Sequence, residues 1–163
     1  MLRTFSKSQA AFEFLTTYGW AFLVILIMIG TLAYFGILNP SKFLPSRCNF
    51  SPEFQCQDYQ ISATANTLRV RLKNNIDTMS ITSMVTGSES ANSYSCTLIT
   101  PSLPFTFASG NISNVQFDNC NSAAAGFVSG EKAKVSVKIT YNTVASGSNY
   151  DRQVNGEIYT TVV

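Results

Sequence analysis

The sequence predicts an α+β fold in which one long apolar helix precedes an antiparallel β-sandwich, and three observations carry that prediction. No residue from Phe14 to Ser41 bears a charge. From Tyr59 onward, apolar and polar residues alternate instead of recurring at helical spacing. Gly, Ser, Asn and Pro cut the alternating part into short lengths.

The uncharged stretch is rich in Phe, Leu, Ile and Met and exceeds the roughly 20 residues needed to cross a bilayer core. It is too long for a secretory signal, whose apolar region has about 7 to 15 residues. The helix is expected over 9–38. Asn39-Pro40 ends it, because Pro cannot continue the hydrogen-bond ladder and biases the residue before it away from helix. No Pro interrupts Gln9 to Leu38, so about 30 residues would form a continuous rod of about 45 Å. Apolar on all faces, such a rod suits lipid and suits equally the company of its own copies. Phe12, Phe14, Tyr18, Trp20 and Phe22 at one end, with Tyr34 and Phe35 at the other, fit an interfacial aromatic belt. Gly19, Ala21, Gly30 and Gly36 permit close helix approach, although no Gly-x-x-x-Gly pair occurs.

Residues 39–58 read as a neck bearing Pro and Cys, and 59–163 as one extracellular β-domain. In Leu68-Arg69-Val70-Arg71-Leu72-Lys73 the apolar side chains face one way and the basic ones the other. The pattern returns from Ala133 to Tyr141 and in a last strand from Val154 to Val163. Shorter strands are expected at Met79 to Val85, Ser95 to Ile99, Phe105 to Phe107 and Val115 to Phe117. Seven or so short strands with such turns predict an Ig-like antiparallel sandwich. Arg69, Arg71 and Lys73 are read as a solvated row, where charge on an outer strand discourages edge pairing. A hold on DNA or on an acidic surface glycan is the sharper reading of the same row.

The 4 cysteines, Cys48, Cys56, Cys96 and Cys120, all follow the apolar segment. An even number beyond a membrane helix implies two disulfides with three possible connectivities. Local pairing, Cys48 with Cys56 and Cys96 with Cys120, is preferred, the first stapling the neck. A zinc site is the competitor, but the sequence has no histidine and no Cys-x-x-Cys. Neither a metal nor a cofactor is expected.

Arg3 and Lys7 lie in the basic leader before the helix, so a chain beginning at Gln9 holds nine basic and nine acidic side chains. That neutrality argues against a general grip on nucleic acid, which needs several cations against phosphates. It leaves self-association without long-range repulsion. Absence of histidine removes Ser-His-Asp and Cys-His arrangements. Glu53, Asp58, Asp77, Glu89, Asp118, Glu131, Asp151 and Glu157 remain, but no spacing singles out a pair for acid and base work on a glycoside. No enzymatic activity is expected.

Lys7-Ser8-Gln9-Ala10-Ala11-Phe12-Glu13, followed by Thr17-Tyr18-Gly19-Trp20-Ala21, resembles the class III signal of archaeal type IV pilins. The resemblance covers about the first 38 residues. It implies a leader, 1–8, removed by a membrane prepilin peptidase that cuts between Ser8 and Gln9 with Lys7 as the basic residue before the cut. It implies a pilin-like subunit whose helix first anchors it in the membrane and then polymerises with copies of itself through the assembly machinery. The surface filament would then expose the β-domain for adhesion or contact. Glu13 would meet the amino group freed at Gln9 of a neighbouring subunit, because an unpaired carboxylate among apolar helices costs several kcal/mol. The plainer role for Glu13 is a charge favoured by the helix dipole near the first turn. The alternative function is a membrane-tethered extracellular binding protein that uses the same export route. Asn49-Phe50-Ser51 and Asn111-Ile112-Ser113 have the acceptor pattern for N-glycans on an exported domain.

N-terminal sequencing of the surface-exposed protein is expected to begin at Gln9, and Lys7→Glu is expected to slow cleavage. Chains that begin near Ala33 or retain Met1 would contradict this processing.

Overall fold

Buried apolar side chains at every second position organise the larger part of the chain, as in Leu68, Val70 and Leu72 or in Val135, Val137, Ile139 and Tyr141. The computed structural model describes residues 5–36, 44–88 and 94–163, with side chains from Phe12 onward. Leu38, Asn39, Pro40, Glu89 and the first four leader residues lie outside the described residues. The chain divides into two compact units, Met1–Leu44 and Pro45–Val163.

The first unit is helix α1, Phe5–Tyr34. It begins before the expected start at Gln9 and ends before the expected end at Leu38. The early end has a local cause. Phe35 N–H donates to Thr31 and Gly36 N–H to Ala33, closing the last turn. Gly36 then adopts φ of 69°, a left-handed conformation that favours a residue without Cβ. From Gln9 to Tyr34 the helix rises about 39 Å, which still exceeds the roughly 30 Å of a bilayer core.

The second unit contains nine strands among the described residues: β1 Arg47–Asn49, β2 Phe54–Ser62, β3 Thr67–Asn74, β4 Met79–Gly87, β5 Thr97–Thr100, β6 Phe105–Phe107, β7 Ile112–Asp118, β8 Lys132–Thr143 and β9 Arg152–Thr161. They form a five-stranded sheet, β1-β9-β8-β4-β6, and a four-stranded sheet, β2-β3-β7-β5. Every pairing is antiparallel. The β unit therefore begins at Pro45, and the expected neck holds β1, a turn over 50–53 and the first half of β2. A bulge between Cys56 and Asp58 breaks the alternation there, which hides a strand from a period-2 pattern.

The two sheets share one core. Phe54 of β2 stacks on Phe107 of β6 at 6.3 Å between ring centroids and meets Tyr141 of β8 edge-on at 5.7 Å. Asn74, at the end of β3, is fully buried yet satisfied. Its Nδ2 donates to the carbonyls of Phe107 and Asp77, and its Oδ1 accepts from Ile76 N–H. One amide thus ties the four-stranded sheet to β6 of the other, and a buried polar group pays no desolvation penalty when its bonds are complete. Phe50, just after β1, covers Gly156 of β9, where a Cβ would fall within the phenyl ring.

Disulfides join Cys48 to Cys56 and Cys96 to Cys120. The first links β1 to β2 and hence one sheet to the other. The second joins the approach to β5 with the residue that follows β7 by two positions. With sequence separations of 8 and 24, each closes a loop worth about 3 kcal/mol in the chain-entropy account.

Tyr94 lies beside the second disulfide, 1% exposed, with its ring tilted over Phe127 at 4.9 Å. Burial pushes its hydroxyl from 10.0 up to about 12, with the neighbouring Ser122 hydroxyl pulling it partly back. The two oxygens do not meet in hydrogen-bond geometry, and neither has a hydrogen-bond partner among the described residues. Below pH 10 the phenol is protonated whether the chain is folded or not. As pH rises from 10 towards about 12, the unfolded chain releases the proton first. Stability then falls by about 1.4 kcal/mol per pH unit from this group. Urea unfolding with disulfides intact is expected to show a shallower alkaline loss for Tyr94→Phe than for the native chain between pH 10 and 12. Parallel pH profiles would contradict the burial of an ionisable phenol at this place.

Candidate functional site

Two surfaces of the described residues call for a partner, and each belongs to one unit. The first is α1. Phe12–Tyr34 is long and apolar enough to cross a membrane. Its large side chains are exposed all round, Trp20 by 67% and Ile25 by 52% among them. Thr16 and Thr17 do not offer polar relief, since their hydroxyls donate back to the Glu13 carbonyl at 3.0 and 2.7 Å. The Glu13 carboxylate is exposed and has no ion-pair partner among the described residues. A cylinder of this composition is stable only with its surface covered, either by lipid or by other apolar helices. The helix backbone runs through Lys7, Ser8 and Gln9, whose side chains lie outside those described.

The second surface is the outer face of the four-stranded sheet. Register places Gln60 of β2, Arg69 of β3 and Gln116 of β7 in one row, and Asp58, Arg71 and Asn114 in the next. These six residues line a groove of about 370 Å³. Arg69 and Arg71 are exposed, and they make no ion pair or hydrogen bond among the described residues. β3 is paired on both sides, to β2 and to β7. The expectation that its charges guard an outer strand is therefore corrected: an interior strand has no edge to protect. The amides of Gln60, Asn114 and Gln116 are site residues that sequence reading missed. Nothing in a single sequence says that β7, and not β4, lies beside β3.

The sequon asparagines are both exposed. Asn49 stands in β1 opposite Glu157 of β9, and Asn111 in the turn before β7, where its backbone carbonyl accepts from Asn74 N–H. Among the described residues no three His, Cys, Asp or Glu side chains are grouped to hold a metal ion. The apolar helix has the composition of a membrane anchor or signal, and the disulfides fit an oxidising compartment outside the cytosol. No protein-family model matches the chain, and no curated protein is similar to it in sequence.

Proposed function

We propose that this chain is a structural subunit of an archaeal type IV pilus-like surface filament. The observation that carries the reading is α1, an exposed apolar helix with a single carboxylate, Glu13, one turn beyond the expected new terminus at Gln9. In this account the leader through Ser8 is cut by a prepilin peptidase, and the helix waits in the cell membrane. It is then drawn by the assembly machinery into a core of like helices. Glu13 pairs there with the amino group of Gln9 on a neighbour. Such a pair is weak in water and much stronger among packed apolar side chains, where either charge alone is penalised. The two sheets form an Ig-like sandwich displayed on the filament for adhesion or surface contact. Neither a cofactor nor a catalytic step is part of this role.

A second reading, a membrane-tethered extracellular binding protein, draws on the groove at Arg69 and Arg71. It needs α1 only as an anchor, and loss of one carboxylate eases membrane residence. The two readings part at Glu13→Ala. For a filament subunit, sheared fractions are expected to contain no filaments while membranes hold normal amounts of cleaved, disulfide-bonded protein. Normal filament yield from fully cleaved Glu13→Ala would contradict the pairing role, and wild-type cells without filaments containing this chain would favour the tethered receptor.

A further inference from the structure

We infer that the outer face of the four-stranded sheet binds an acidic saccharide, a sugar chain bearing carboxylates, through Arg69 and Arg71. The inference rests on the proposed function only in so far as an exported domain meets such polymers; the groove itself belongs wholly to the β unit.

The chemistry follows from register. Alternation along β3 sets Arg69, Arg71 and Lys73 on one face, about 7 Å apart at successive positions. Like charges so placed repel, and a merely solvated row is ordinarily balanced by carboxylates on the adjoining strands. Here the flanking positions are Gln60 and Gln116 beside Arg69, Asp58 and Asn114 beside Arg71, and Gln55 and Ile112 beside Lys73. Of these six positions only Asp58 is acidic, and its Oδ1 already accepts from the backbone N–H of Tyr59 at 2.8 Å. Asp118, on the same face of β7, is the second carboxylate near the row, so three cations face two carboxylates and the row keeps a net positive charge in the middle of a sheet.

The neighbours identify the anion. A guanidinium presents a planar fork that matches a carboxylate in bidentate fashion. Primary amides both donate and accept, which suits ring hydroxyls that do the same. The Gln116 amide is held in place, its Nε2 donating to Asp118 Oδ1 at 2.9 Å. A groove of about 370 Å³ falls within the range of small-ligand sites, roughly 300 to 1,000 Å³. It is open, so a polymer can lie along it. Duplex DNA is the weaker match, since its binders engage about 6 to 10 phosphates and the chain from Gln9 onward is neutral.

The test titrates the full chain, in detergent micelles, with trigalacturonate and with neutral galactotriose. Saturable binding of trigalacturonate is expected, with galactotriose at least about tenfold weaker. Arg69→Gln and Arg71→Gln are each expected to lose about tenfold, whereas Arg69→Lys, which keeps the charge without the fork, falls in between. Asn114→Ala is expected to weaken the saccharide several-fold. Lys138→Gln, an exposed cation of the other sheet, is expected to leave binding unchanged. Equal affinity for the two saccharides, no saturable binding, or equal sensitivity to Lys138→Gln would overturn the site. Tighter binding of DNA than of trigalacturonate through the same two arginines would assign the groove to nucleic acid and overturn it as well. None of these outcomes depends on filaments, so failure here and failure of the filament reading are separate events.

Discussion

An apolar cylinder cannot stand bare in water, and that constraint governs the rest of this chain. Phe12 to Tyr34 exposes aromatic and aliphatic side chains on every side of α1, a composition that offers no polar face to solvent. Lipid and a bundle of like helices satisfy it equally well. Glu13 breaks the symmetry between them. In lipid a carboxylate at the helix mouth is a burden, whereas in a bundle it becomes an attachment point once a cation of another chain is beside it. The proposed filament follows from asking which environment makes use of that carboxylate.

The β unit meets the opposite demand, to remain folded by itself. Every member of its core lies between Cys48 and Val162. Phe54 reaches Phe107 and Tyr141 across the two sheets, Asn74 bonds to Phe107, and the Cys48–Cys56 disulfide spans the sheets two residues along β2 from Phe54. A unit so closed leaves its outer faces at liberty. The face of β2, β3 and β7 uses that liberty for charge, placing Arg69 and Arg71 where no packing requires them.

Much of this was legible in the residues. The helix is announced by its lack of charge, and β3, β6 and β8 by alternation or aromatic residues between turn signals. Its end was misplaced because Pro40 is the louder breaker, although Gly36 four residues earlier accepts the left-handed φ that stops the ladder. β1 has three residues, too few for a period, and β2 loses its period at the bulge after Cys56. Cysteine spacing alone left three pairings open, since sequence does not say which sheet edge adjoins which. The arginines of the groove stand out in sequence, but their amide neighbours on β2 and β7 do not. Cross-strand neighbours in a sheet ordered β2-β3-β7-β5 are fixed by topology, and topology is decided by the whole core.

The most direct test of the central claim is electron cryomicroscopy of filaments sheared from the source cells, at a resolution that identifies side chains. The account predicts filaments built from this chain, starting at Gln9, with Phe12 to Tyr34 of many copies bundled at the axis. Glu13 of one copy would lie against the amino terminus of another, with the two-sheet unit outside. Filaments whose axis is built from the β unit, or filaments in which Glu13 faces solvent, would contradict it.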